Sequence, residues 1–141
     1  VTQHIDEATV FIGAAAVADY RPKFAAESKI KKTEQDTLTI ELEPTIDILS
    51  EVAHNRAPGL LVVGFAAETN DVISYARGKL ERKNLDMIVA NDVTETGAGF
   101  GSDDNKAAIL TRSDTIELPL MPKIELATHI LNAVLKLRNA E

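Results

Sequence analysis

The feature that decides the fold is the stretch Thr9-Val10-Phe11-Ile12-Gly13-Ala14-Ala15-Ala16-Val17-Ala18-Asp19-Tyr20. Its apolar run, Val10–Ala16, predicts a buried strand in which small residues replace large ones toward the end. Small side chains let a ligand approach the backbone, and ligands of open α/β sheets bind at the carboxyl ends of strands. Tight packing between a strand and the following loop explains the same residues, so both interpretations stay open here.

Two more apolar runs, Leu60–Phe65 and Met87–Ala90, are continuous, as in strands of a parallel sheet covered on both faces. Helical spacing of apolar residues predicts three helices: one from Ile46 to near Asn55, one from Asn70 or Asp71 to about Lys83, and one over Ile124–Leu137. Strands that alternate with helices predict βαβ units and a parallel sheet. We expect Asn70 or Asp71 to cap the second helix.

The remaining segments predict a smaller antiparallel part. Thr37–Leu42 alternates polar and apolar residues, which indicates a half-exposed strand. Ala107–Thr111 and Thr115–Leu120 predict a strand pair around a turn, and the charged segment Asp19–Lys32 predicts a loop. The alternating strands therefore indicate an antiparallel flap or sheet edge.

Composition limits the classes of function. The 141 residues correspond to about one domain, and no apolar run approaches the roughly 20 residues of a membrane helix. A net charge of −7 argues against a nucleic-acid partner, which requires a basic face. The absence of cysteine excludes disulfides and thiolate metal sites and fits a cytoplasmic protein. The chain begins with Val1 almost directly at a strand, so we expect it to be part of a larger unit.

Three predicted strands end in small or polar residues: Gly13-Ala14-Ala15, Phe65-Ala66-Ala67-Glu68 and Asn91-Asp92. If the strands are parallel, these ends lie at one edge of the sheet and form a binding crevice. The alternative is that strand ends are commonly polar, which explains Asn91-Asp92 better than it explains the small residues.

Lysines are the second signal of a binding site. Lys29-Ile30-Lys31-Lys32 is either a solvated charge run or a basic flap over an anionic substrate. At 100° per residue, Lys79 and Lys83 lie at the inner edge of the apolar arc of their helix, whereas Arg77 and Glu81 lie opposite. Two inward cations one turn apart indicate a polyanion such as a triphosphate, or lysines that extend to solvent near a helix C-terminus. The histidines show no metal-ligand spacing, and we assign no metal ligands.

Seven short motifs in order resemble phosphopantothenoylcysteine synthetase, the phosphopantothenate–cysteine ligase of coenzyme A biosynthesis. Each motif alone is weak, but their order over nearly the whole chain is specific. They are Ala15–Tyr20, Lys29–Lys32, Ile46–Leu49, Val63–Thr69, Lys79–Asp86, Ala90–Val93 and the run from Phe100 to Asn105.

The resemblance implies a reaction and a set of site residues. In bacteria the family uses CTP to convert 4′-phosphopantothenate to an acyl-cytidylate, from which the amine of L-cysteine displaces CMP. It implies that Lys29 is catalytic and that Mg²⁺ enters as the CTP complex. The other implied contacts are Gly13, Ala14, Ala15 and Asp19 to the nucleotide, Ile46, Asp47, Ile48, Leu49 and Phe65 to the cytidine, and Lys79 and Lys83 to the phosphates.

The resemblance also implies a fold and partners. Residues 1–141 are expected to form the C-terminal part of a Rossmann-like (ribokinase-like) three-layer α/β domain with a parallel sheet and a small antiparallel dimerisation extension. A homodimer and a fused or associated flavin-dependent phosphopantothenoylcysteine decarboxylase are the expected partners. The sequence departs from the family's pattern in two places. Many members have Pro-Asp-Ile where this chain has Ile46-Asp47-Ile48, with Pro44 two residues before Ile46. The family's Gly- and Ser-rich nucleotide-binding segment is absent from the 141 residues. Two alternatives to the ligase function stay open. The chain is either a nucleotide-binding module without catalysis or a dimerisation half of a larger flavoprotein.

Overall fold

The computed structural model describes residues 1, 3–30, 37–94, 97 and 101–140. The chain divides into two units, one formed by Val1–Ala14 with Ile48–Glu141 and the other by Ala15–Asp47. In chain order the elements are β1 (Val10–Gly13), β2 (Tyr20–Pro22), β3 (Leu42–Pro44), α1 (Ile48–His54), β4 (Leu61–Glu68), α2 (Val72–Arg82), β5 (Met87–Asp92), β6 (Asp104–Thr111), β7 (Thr115–Pro122) and α3 (Lys123–Asn139).

The larger unit contains a five-stranded mixed sheet in the order β1-β4-β5-β6-β7. β1, β4 and β5 are parallel, as the sequence predicts, whereas β6 pairs antiparallel with β5, and β7 pairs antiparallel with β6. The sheet is therefore mixed: its parallel part is confirmed, and the β6–β7 pair forms an antiparallel sheet edge, one of the two arrangements that the sequence predicts. The physical reason is that the segments before β6 and β7 are shorter than the dozen or more residues that a parallel crossover requires.

Helices cover both faces of this sheet. Alternate residues of β4 and β5, such as Val62 and Ile88, pack with α1 and α2 in one apolar cluster. Their neighbours, such as Val63 and Val89, pack with α3 in a second cluster. Because both faces are buried, these strands carry the continuous apolar runs that identify them in the sequence.

The smaller unit is a two-stranded antiparallel sheet of β2 and β3. Arg21 Nη2 lies 2.8 Å from Glu43 Oε1, and Lys23 Nζ lies 2.5 Å from Glu41 Oε1. The loop predicted over residues 19–32 thus contains β2, and the strand predicted over Thr37–Leu42 begins only at Leu42. Both predictions fail because pairing between the two segments, rather than alternation within one of them, decides which residues form strands.

Several element ends also differ from the predictions. β1 ends at Gly13 instead of Ala16, because its pairing with β4 stops at the Gly13–Gly64 pair. α1 begins at Ile48 instead of Ile46. Asp71 precedes α2 but has a left-handed backbone, with φ of 42°, and its side chain makes no capping hydrogen bond. A capping side chain needs an extended backbone at that position, so the predicted cap does not form.

Candidate functional site

The carboxyl ends of the three parallel strands meet at one edge of the sheet, as the sequence predicts. Gly13 of β1 is level with Gly64 of β4, and Glu68 at the end of β4 is level with Asp92 at the end of β5. β4 therefore projects beyond β1. We call this region the carboxyl edge and define it by Gly13, residues 65–68 and residues 91–92.

Two glycines, one at this edge and one next to it, leave room for a side chain of α1. A Cβ atom at Gly13 would lie 3.2 Å from Leu49 Cδ1, and one at Gly64 would lie 2.7 Å from Leu49 Cδ2 and 2.8 Å from Leu85 Cδ1. Glycine at both positions lets Leu49 approach the strand backbone. The structure thus supplies a packing reason for Gly13, while its predicted contact with a nucleotide stays a prediction.

Lys79 extends from α2 to the carboxyl edge. Its Nζ atom lies 2.6 Å from Glu68 Oε1, and the Lys79 and Glu68 side chains are 35% and 14% exposed. Lysine side chains of a helix lean toward its N-terminus, which here follows directly from β4. The inward position predicted for Lys79 agrees with this geometry.

Lys83 lies one turn farther along, at the C-terminal end of α2, and is half-buried. Its backbone N–H donates to the Lys79 carbonyl oxygen at 3.0 Å. The helix connects the carboxyl edge of β4 to the opposite end of β5, so Lys83 is farther from the carboxyl edge than Lys79. Its contact with a phosphate stays a prediction.

The sequence predicts Arg77 on the solvated face of α2, but the structure shows its side chain bonded to the sheet. Its guanidinium donates to the Thr111 carbonyl oxygen and, from Nη2, to Thr115 Oγ1 at 2.6 Å. The hairpin of β6 and β7 accepts these bonds, and a single-helix projection contains no information about that neighbour. Arg77 therefore joins the helix to the sheet.

Asp92 is fixed at the carboxyl edge by hydrogen bonds. Its Oδ1 atom accepts from Thr94 Oγ1 at 2.7 Å and from the Thr94 N–H at 3.1 Å, and Lys106 Nζ lies 3.7 Å from Oδ2. The hydrogen bonds from Thr94, with a smaller contribution from Lys106, lower the pKa of the Asp92 carboxyl. Asp92 is thus held in its charged form.

Asn91 presents an acceptor without a donor. Its Oδ1 atom is buried, and among the residues that the structure describes no group donates to it. Buried polar atoms are nearly always hydrogen-bonded, so an orphaned one at a strand end suggests a ligand or water as its partner. Phe65, on β4, is half-buried and packs against the cluster on the α3 side.

Of the other predicted site residues, Ala14 and Ile48 belong to the larger unit, and the rest belong to the smaller unit. Asp19 is exposed, and its carbonyl oxygen accepts from the Thr45 N–H at 2.8 Å, while Thr45 Oγ1 donates to the Ala18 carbonyl oxygen at 2.5 Å. These bonds bring the Asp19 motif beside the segment that leads to Ile46 and Asp47. Ile46 is 74% exposed.

Ala15 and Lys29 are exposed residues of the smaller unit. Lys31 and Lys32 of the basic motif, and Phe100 of the last motif, lie outside the described residues. Among the described residues no group of three or more His, Asp or Glu side chains is arranged to hold a metal ion. In the same part of the chain, no helix is both long and apolar enough to cross a bilayer.

Sequence reasoning missed two charged partners at the carboxyl edge. The sequence places Glu68 in the crevice but gives it no lysine partner, and it does not single out Lys106 because the predicted strand begins at Ala107. Antiparallel pairing of Asn91 with Ala107 places Lys106 beside the end of β5. The signal available for it was a lysine directly before an apolar strand, which is common and unspecific.

The fold and this edge define a class of protein. A mixed sheet lies between helices, and its parallel strands end together beside lysines, carboxylates and an unsatisfied amide oxygen. Such an edge is the usual ligand site of α/β domains. Residues 1–137 match the model of the family described as "DNA/pantothenate metabolism flavoprotein C-terminal domain", and the chain belongs to that family.

Relatives with the name "Coenzyme A biosynthesis bifunctional protein CoaBC" agree with the family. The protein of Vibrio cholerae is 50% identical over 126 residues, which are 89% of this chain and 32% of the relative. The protein of Escherichia coli K12 is 44% identical and matches 95% of this chain and 34% of the relative. The chain therefore spans about a third of the length of these relatives. They confirm the resemblance drawn from the motifs.

Solved structures show the same fold. The crystal structure of the C-terminal domain of a CoaBC protein superposes with a TM-score of 0.77 at 37% identity, covering 99% of this chain and 60% of that one. A DNA/pantothenate metabolism flavoprotein from Streptococcus pneumoniae gives a TM-score of 0.74 at 22% identity, covering 95% of this chain and 66% of that one. At that identity the second likeness concerns the fold alone.

Proposed function

We propose that residues 1–141 are the C-terminal part of a CTP-dependent phosphopantothenate–cysteine ligase of coenzyme A biosynthesis. The observation that carries this proposal is the carboxyl edge, where Lys79 pairs with Glu68 at the end of β4 and the Asn91 oxygen near the end of β5 has no donor among the described residues. Relatives of up to 50% identity named for coenzyme A biosynthesis support the pathway.

The proposed reaction has two steps. The carboxylate of 4′-phosphopantothenate attacks the α-phosphorus of CTP, the α–β phosphoanhydride bond breaks, and pyrophosphate leaves. The amine of L-cysteine then attacks the acyl carbon, loses a proton, and displaces CMP. Lys29 stabilises the negative charge that develops on the acyl oxygen in the second step.

The nucleotide contacts in this proposal are the ones that the family resemblance implies. Lys79 and Lys83 contact the phosphates. Gly13, Ala14, Ala15 and Asp19 contact the nucleotide, and Phe65 with Ile46 to Leu49 contacts the cytidine. Mg²⁺ accompanies CTP through its phosphate oxygens, because Glu68 and Asp92 each already have a lysine partner.

A homodimer is part of the proposal. In the smaller unit no described residue is buried, and several large apolar side chains are more than half exposed. These side chains are Val17, Tyr20, Phe24, Ile30, Leu38, Ile40, Leu42 and Ile46. A two-stranded sheet is marginal on its own, so a second copy that covers this apolar surface would stabilise it. By likeness to the bifunctional relatives, a flavin-dependent decarboxylase is the proposed fused or associated partner.

The experiment uses the full-length protein with CTP, phosphopantothenate and cysteine. The proposal expects CMP and phosphopantothenoylcysteine to form in equal amounts, and only when all three substrates are present. Replacing CTP with ATP measures nucleotide selectivity. CTP binding without pyrophosphate release would favour a module without catalysis, and a dimer without affinity for CTP would favour a purely structural half.

The phosphate contacts are tested by calorimetry. Lys79→Ala should lower the affinity for CTP by about tenfold or more, because a charged hydrogen bond is lost. The affinity for cytidine should be nearly unchanged. Lys83→Ala should act in the same direction. Arg82→Ala, at an exposed neighbour on the same helix, is the matched control. Equal losses for CTP and cytidine would show that these lysines do not bind the phosphates.

A further inference from the structure

The ion pair between Glu68 and Lys79 has no role in the proposed chemistry. Glu68 ends β4 at the carboxyl edge, and its side chain is 14% exposed, while Lys79 reaches it from α2 at 2.6 Å. A lysine side chain has four rotatable bonds and, without a partner, samples many conformations. The carboxylate fixes the ammonium group at the strand end before any ligand binds.

The geometry leaves Lys79 able to bind an anion at the same time. An ammonium group has three N–H donors, and the Glu68 contact uses one of them. The 35% exposure of the Lys79 side chain shows that solvent, and therefore a phosphate oxygen, can reach it. An oriented lysine avoids the ordering cost that immobilising a flexible side chain adds to binding.

We infer that Glu68 is a positioning residue that holds Lys79 at the carboxyl edge for the triphosphate and the pyrophosphate product. This inference rests on the proposed function, in which Lys79 binds phosphate. Glu68 itself does not contact the nucleotide. It acts through Lys79, by limiting where the ammonium group points.

The test measures the affinity of the full-length protein for inorganic pyrophosphate and for cytidine by calorimetry. Glu68→Gln keeps the length of the side chain and removes the charge. We expect this variant to have an affinity for pyrophosphate about three- to tenfold lower than that of wild type. Its affinity for cytidine should be unchanged, because cytidine carries no phosphate. Glu117→Gln on β7, separated from β4 by β5 and β6, is the control for the loss of one negative charge.

A double-mutant comparison separates positioning from a structural effect. In a Lys79→Ala background, Glu68→Gln should cause no further loss of pyrophosphate affinity, since the lysine it positions is absent. The same loss in both backgrounds, unchanged affinity, or tighter binding of pyrophosphate by Glu68→Gln alone would each overturn the inference. A wild-type protein that binds neither CTP nor pyrophosphate would contradict the proposed function and this inference together.

Discussion

Gly64→Ala should destabilise the protein, although alanine is usually less destabilising than glycine inside a strand. The new Cβ atom would lie 2.7 Å from Leu49 Cδ2 and 2.8 Å from Leu85 Cδ1. Leu85 is fully buried and cannot turn toward solvent. Overpacking of this kind costs about 1–3 kcal/mol, whereas reduced freedom of the unfolded chain returns about 0.4–1 kcal/mol. The net loss of unfolding free energy is about 1–2 kcal/mol.

Two further glycines calibrate the measurement. Gly78 lies within α2, and a Cβ there would meet nothing within 4 Å, so Gly78→Ala should stabilise the helix by about 0.5–1 kcal/mol. Gly13→Ala should fall between the two, since its Cβ would lie 3.2 Å from Leu49 Cδ1. Urea unfolding of the three variants and the wild type gives the free energies. A Gly64→Ala variant as stable as Gly78→Ala would refute the close packing of α1 on β4.

Three other predictions concern Lys29, Asp92 and the exposed apolar surface of the smaller unit. In the full-length protein, Lys29→Gln should slow the attack of cysteine by roughly 100-fold and let acyl-cytidylate accumulate, as for other groups that stabilise an oxyanion; turnover at the wild-type rate would contradict this. Because the pKa of Asp92 is lowered in the folded state, its charge stabilises the fold above the pKa of the unfolded chain, and this contribution is lost as pH falls through the folded pKa. The unfolding free energy of Asp92→Asn should therefore lie below that of wild type at pH 7 and approach it below about pH 4, and an unchanged difference at pH 3 would count against it. If the smaller unit forms the dimer interface, Phe24→Glu should convert the dimer to monomers, because the Phe24 side chain is 72% exposed and would receive a charge. Light scattering measures the molar mass that shows this.

The sequence predicts the buried strands and the edge where they end, because continuous apolar runs identify β4 and β5 without any partner. It predicts the strand pair of β6 and β7 but not that β6 pairs antiparallel with β5, since strand direction there depends on pairing between distant segments. The packing role of Gly13 depends on Leu49, and a strand end read alone cannot show it. The inward position of Lys79 was predictable from the helix projection, whereas the contacts of Arg77 with the β6–β7 hairpin were not.

The proposed function depends on the formation of an acyl-cytidylate by the full-length protein. The most direct test is a single-turnover experiment with CTP and labelled phosphopantothenate in the absence of cysteine, stopped by acid and analysed by mass spectrometry. Pyrophosphate release should be matched by formation of an acyl-cytidylate, which added cysteine converts to phosphopantothenoylcysteine and CMP. Release of CDP and phosphate, or no release of pyrophosphate before cysteine is added, would contradict it.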